Sequence, residues 1–168
     1  MSTIEPAPLI DVIVESAQWK ADAETTVRRA LTEAAIAIGA NFKDRVLAVL
    51  LTDDATVHRL NAQWRNVDKP TNVLSFPPAS GAGQQTGAVK SLGDIAIAFE
   101  TTAREAREED KPLADHLSHL AVHGFLHLLG YDHESDSEAE TMEQLERVIL
   151  ARLGVPDPYL AHAHGMRG

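Results

Sequence analysis

Five of the eight histidines in this 168-residue chain fall between His116 and His133. His123 and His127 are four residues apart, so on a helix their rings stack on one face and can converge on one metal ion. A third ligand from the same helix, such as His119, would lie about 12 Å along the axis from His127. Metal–nitrogen bonds of about 2.0–2.1 Å cannot reach across that distance. The third donor must therefore come from a chain that turns back. Gly130 supplies a residue that tolerates the left-handed conformation ending many helices, and His133 follows three residues later. The constellation His123-x-x-x-His127-x-x-Gly130-x-x-His133 predicts a zinc site with a free fourth position, which suits catalysis better than a purely structural role. His116 and His119, each taken alone, read as hydrogen-bonded core histidines.

These residues need a helix that is held on most sides. On a helix over Pro112–Leu129, Leu113, Leu117, Leu120, Gly124 and Leu128 share one face. Val122, Phe125, Leu126 and Leu129 cover most of the other, which marks a buried helix. Its polar stripe is largely His116, His119, His123 and His127. Further helices are predicted over Trp19–Ile38, from Thr52 or Asp53 to about Arg65, over Glu100–Glu109 and over about Asp136–Leu153. Strands are predicted at Leu9–Val14, Arg45–Leu51, Asn72–Phe76 and Leu92–Phe99. Arg45–Leu51 is apolar enough to be covered on both faces. A Gly-, Gln- and Pro-rich loop spans Pro77–Ser91. The expected fold is a single α/β (α+β) domain over 1–168, with a four-stranded sheet covered by about five helices. The metal site lies at the end of a buried helix, and 156–168 is expected to be a flexible tail.

Composition narrows the chemistry. With no cysteine there is no disulfide, thiolate ligand or cysteine nucleophile. Net charge is −10, from 15 basic against 25 acidic residues, which argues against a broad nonspecific polyanion surface. The imbalance is uneven: Glu24–Lys69 holds seven basic and six acidic residues, Thr101–Leu150 four and twelve. A local positive face on the first half is thus compatible with composition. No apolar run approaches the roughly 20 residues of a membrane span, and the N-terminus lacks signal-peptide character. A cytoplasmic protein without membrane contact is expected.

The histidine spacing is that of the metzincin peptidases, with one absence. Those enzymes carry a glutamate general base directly after the first histidine; here that position is Gly124. Close approach of the sheet, a neighbouring helix or substrate would each explain a glycine there, as would simple packing. A second signal lies upstream, in Leu60-Asn61-Ala62-Gln63-Trp64-Arg65 and Asp68-Lys69-Pro70-Thr71-Asn72-Val73-Leu74-Ser75-Phe76-Pro77. Together with Leu92-Gly93-Asp94-Ile95 and the run from His119 to His133, these motifs closely resemble the YbeY endoribonucleases, bacterial rRNA maturation factors. The resemblance covers roughly Leu47–Leu150. It departs mildly at Pro78, where the family often has a bulkier residue, and in the Gly/Gln-rich loop.

The resemblance implies a mixed four-stranded sheet, and one zinc ion (Zn2+) per chain bound by His123, His127 and His133. It also implies single-strand-directed endoribonuclease activity in 16S rRNA 3′-end processing and ribosome quality control. The implied partners are single-stranded rRNA precursor, the small ribosomal subunit and assembly proteins, with no DNA expected. The family's motif arginine corresponds to Arg65. A guanidinium keeps its charge and bonds phosphate in bidentate fashion, so Arg65 is the candidate catalytic phosphate clamp. Lys69 is either a second phosphate contact or a solvated lysine. Asp132 either supports the metal ligands or forms the turn. Ser75 lacks an identified base and Asp94 reads as structural. The acidic run Glu134–Glu146 reads as an exposed helix face, and His162 and His164 carry no weight. A metallopeptidase-like hydrolase and a noncatalytic assembly factor with structural zinc are the alternatives.

Overall fold

The structure is a computed structural model that describes residues 7–69, 71–78 and 89–159; His162 and His164 lie outside it. In chain order the elements are β1 (Leu9–Val14), α1 (Asp22–Ile38), β2 (Arg45–Thr52), α2 (Asp54–Arg65) and β3 (Val73–Phe76). β4 (Lys90–Ala98), α3 (Phe99–Glu108), α4 (Leu113–Leu128) and α5 (Asp136–Arg152) follow. The strands form one mixed sheet in the order β1-β2-β4-β3. β1 and β4 run parallel to β2, and β3 runs antiparallel to β4. The element types match expectation, but some boundaries move. α1 starts at Asp22 because Trp19 is an anchor instead of a helical residue. Its indole N–H donates to the Thr52 carbonyl at 2.9 Å, and its ring meets Phe99 edge-on at 5.0 Å. β4 begins at Lys90, before the expected Leu92, and runs straight into α3.

Alternation along the strands decides what covers each face. Leu47, Val49 and Leu51 of β2 and Ile95 and Ile97 of β4 point into a large core shared with Leu31, Leu117, Phe125, Met142 and Ile149. That core lies between the sheet and α1, α4 and α5. On the opposite face Leu74, Ala96 and Ala98 pack with Val57 of α2, and partly buried Leu50 of β2 joins them. The central strand is thus covered on both sides, as its apolar run requires.

Helix α4 lies close on the sheet because Gly124 removes a side chain at the contact. A Cβ there would come within 3.0 Å of Ile95 Cγ2 and 3.2 Å of Ser75 Oγ. The Ser75 hydroxyl donates to the Gly124 carbonyl at 2.9 Å across this contact. Of the neighbours that could explain Gly124, the sheet is the one that does. Among the described residues no helix is long and apolar enough to cross a membrane.

Helix α2 ends at Arg65, so its placement matters to the site. Asp53 caps it by accepting the Thr56 N–H at 2.8 Å, and that main-chain hydrogen bond holds the carboxyl below its ordinary pKa. A depressed carboxylate stabilises the fold above its unfolded pKa of about 3.9 and loses that contribution as pH falls through the folded value. Asp53→Ala is therefore expected to cost about 1 kcal/mol at pH 7. Urea denaturation should show the difference from wild type shrinking as pH drops below about 4.

Candidate metal centre and adjoining cleft

The turn after α4 has a defined hydrogen-bond pattern. The Tyr131 N–H returns to the Leu126 carbonyl at 3.1 Å and the Gly130 N–H to His127 at 3.0 Å, while Gly130 has φ +104°. This pairing closes the helix in the manner of a Schellman motif, for which glycine is the natural residue. Asp132 then accepts the main-chain N–H of His133 at 2.7 Å. The chain so reversed carries the His133 ring back over His123, with centroids 5.1 Å apart and planes 18° from parallel.

The three imidazoles converge. Nε2 of His123 and of His127 are 3.1 Å apart, and one ring nitrogen from each of His123, His127 and His133 lies within 4.8 Å of the others. Two tetrahedral ligands with bonds of about 2.0–2.1 Å sit about 3.3 Å apart, so the donor set fits a zinc-sized ion. Burial lowers the His127 pKa, and the neighbouring His123 and His133 lower it further. Both effects favour the neutral ring, the form that donates a lone pair.

Behind the centre lies a carboxylate from the acidic run that reads in sequence as an exposed helix face. Glu146 of α5 is fully buried. One oxygen meets His119 Nε2 at 2.9 Å and accepts the Tyr159 hydroxyl; the other meets His123 Nδ1 at 2.7 Å. Burial alone would raise its pKa, but the hydrogen bonds from His119 and His123 outweigh it and hold the group at about 2. Burial and the Glu146 charge push the Tyr159 phenol above its ordinary value. His119, His123 and Glu146 also form a second cluster with metal-ligand atoms close together, yet its separations are those of direct hydrogen bonds. A signal for Glu146 existed: Met142, Glu146, Ile149 and Leu150 share one buried stripe of α5. His116 pairs with Glu105 at 2.8 Å, and Asn72 donates to the same oxygen at 2.9 Å. His116 is thus a buried, hydrogen-bonded histidine, as expected, whereas His119 is hydrogen-bonded but half-buried and lines a cavity beside Tyr159.

In front of the centre is a cleft of about 390 Å³ lined by Arg65, Thr71, Asn72, Ser75, His123 and His127, among others. Arg65, at the last turn of α2, therefore shares one wall-to-wall space with two of the histidines. Its side chain is exposed, and among the described residues it forms no ion pair. The link from His58 to Asp68 at 2.7 Å fastens the segment after α2 back onto that helix. Lys69 is exposed and does not line the cleft; its carbonyl accepts from Asn61 Nδ2 at 3.0 Å. Ser75 is committed to the Gly124 carbonyl, and Asp94 sits opposite Phe76 in the β3–β4 register.

A family model described as Endoribonuclease YbeY matches residues 10–154. The chain is 58% identical over 160 residues to the endoribonuclease YbeY of Rhodopseudomonas palustris strain BisA53, covering 95% of this chain and 93% of that one. It is 56% identical over 158 residues to the endoribonuclease YbeY of Bradyrhizobium sp. strain BTAi1, covering 92% and 94%. A Thermotoga maritima protein solved in solution superposes with a TM-score of 0.54 at 24% identity, over 86% of this chain and 91% of that one. That likeness speaks to the fold.

The geometry yields a metal-binding test. Titration of the metal-free protein with zinc should saturate at about one ion per chain, since one donor set of this form has one open tetrahedral centre. His123→Ala, His127→Ala and His133→Ala should each lose most of the metal, whereas His119→Ala should retain it. Inductively coupled plasma measurement after gel filtration separates these outcomes; full occupancy in all three ligand variants would overturn the donor set.

Proposed function

The chain belongs to the YbeY endoribonuclease family, and on that premise we propose that it is a zinc-dependent endoribonuclease that cuts single-stranded RNA at the His123–His127–His133 centre. The observation that carries the proposal is the single cleft shared by Arg65, His123 and His127. Its biological substrate, on this reading, is precursor rRNA at the 16S 3′ end, in the cytoplasm. Work there is done with the small ribosomal subunit and its assembly proteins and serves ribosome quality control.

A zinc ion bound by the three imidazoles supplies Lewis acidity toward a phosphoryl oxygen or a water. The chain's own groups do the rest. Arg65 offers a planar, permanently charged fork that can hold two oxygens of the scissile phosphate and stabilise negative charge as it develops. Thr71, Asn72 and Ser75 line the same space and shape the approach of the strand. The net charge of −10 works against broad duplex binding and favours a flexible strand that lowers one phosphate into the cleft. The metallopeptidase alternative is disfavoured by Gly124. That position faces Ile95 and Ser75 at contact distances too short for a glutamate side chain.

Arg65 provides the experiment. Arg65→Ala and Arg65→Lys are each expected to lower turnover on unstructured RNA about 10²–10³-fold, since an ammonium lacks the planar fork. Bound zinc and melting temperature should stay near wild type, because the residue is exposed. Wild-type cleavage by both variants would remove Arg65 from the mechanism. A zinc-loaded wild-type protein that leaves unstructured RNA intact would favour the noncatalytic assembly factor.

A further inference from the structure

Each metal-ligand histidine has a second ring nitrogen, and the partner of that nitrogen fixes how the first is presented. In this chain His123 has such a partner on another helix. We propose that Glu146 is a positioning residue that sets the tautomer and ring orientation of His123, and that Tyr159 holds Glu146 in place to do so. The inference rests on the three-histidine reading of the centre.

The argument is one of donors and acceptors. A carboxylate has only acceptor sites. The 2.7 Å contact between Glu146 Oε2 and His123 Nδ1 therefore requires the proton on Nδ1. With the proton there, the neutral ring carries its lone pair on Nε2, the nitrogen that lies 3.1 Å from His127 Nε2 in the centre. The opposite tautomer would place a hydrogen where an ion must be met. Metal-binding histidines elsewhere commonly donate their second N–H to a carboxylate for this reason, and loss of that partner typically lowers metal affinity about 10–100-fold.

Glu146 itself is held from more than one direction. It is fully buried on α5, and its second oxygen accepts from His119 of α4 and from Tyr159 beyond α5. The two oxygens thus divide their work: Oε2 serves the ligand, and Oε1 is tied down by two other side chains. Tyr159 is fixed in turn. Its ring meets His119 edge-on at 5.7 Å, the Arg147 guanidinium lies 5.3 Å from its centroid, and its main-chain N–H donates to Asp157 at 2.8 Å. Pro156–Tyr159, at the start of the segment expected to be a tail, is therefore part of the support of the centre.

Replacing Glu146 with glutamine keeps the shape but leaves one acceptor oxygen where two were used. If that oxygen faces His119 and Tyr159, the amide N–H₂ faces His123 Nδ1 and drives the proton to Nε2. Long-range ¹H–¹⁵N spectra of the metal-free wild-type protein should show His123 as the Nδ1–H tautomer, and Glu146→Gln should shift it toward Nε2–H. Zinc affinity, measured by competition with a chromophoric chelator, should fall about 10–100-fold in Glu146→Gln. Tyr159→Phe, which leaves the carboxylate in place, should cause a smaller fall in the same direction and serves if Glu146→Gln does not fold. An Nε2–H tautomer in metal-free wild type would overturn the proposal, as would wild-type zinc affinity in folded Glu146→Gln. Failure of the three-histidine reading looks different: wild type and His123→Ala would then bind zinc equally, whatever the tautomer.

Discussion

Helix α4 is apolar on almost every side, with Leu117, Leu120, Ala121, Val122, Phe125 and Leu126 all buried. Such a helix cannot rest on a surface; it has to be enclosed, and enclosing it dictates the arrangement of everything else. The sheet lies beneath it at the Gly124 contact, α1 and α5 flank the large core it completes, and α3 precedes it by a short turn. The one strip of α4 not made of hydrocarbon is the histidine ladder. Enclosure forces that strip toward the side where β3 and the end of α2 leave an opening. The centre's location follows from where the hydrocarbon must go.

The ladder would be expensive to bury if its polar atoms had no partners. Glu105 from α3 answers His116 Nε2, and Glu146 from α5 answers His119 Nε2 and His123 Nδ1, while the buried Nδ1 atoms of His116 and His119 have no partner among the described residues. These pairs bind the helices that surround α4 to it through directed contacts, whereas the apolar core only requires proximity. They also grade the ladder by function. His116 and His119 face carboxylates in the interior, while His127 and His133 meet His123 at the opening.

Much of this could be read from residue types and spacing. The His123–His127–His133 convergence follows from helix phase and Gly130, and the strands from their β-branched runs. Strand order was not legible, because it depends on which elements pair after long crossovers, and local pattern carries no information about that choice. Gly124 could be flagged as a close approach without naming the neighbour, since Ile95 and Ser75 are remote in sequence. Glu146 reads by charge as one more acid in a run of acids. Charge composition hides its place, whereas its phase with Met142, Ile149 and Leu150 shows that it faces inward. Arg65 was found through its motif, and its shared space with the histidines became visible only once α2 and α4 were packed around β3.

The attachment of Tyr159 to Glu146 bears on the order of events during synthesis. The chain is synthesised from the N-terminus onward, so α4 and its imidazoles emerge before α5, and α5 before Tyr159. The carboxylate that backs His123 is thus delivered late and fastened last. A nascent chain long enough to hold all three histidines still lacks the contacts that organise them. Organisation of the centre in this way awaits synthesis through Tyr159, and a fragment ending before Pro156 would carry the ligands and Glu146 without the phenol that holds that carboxylate.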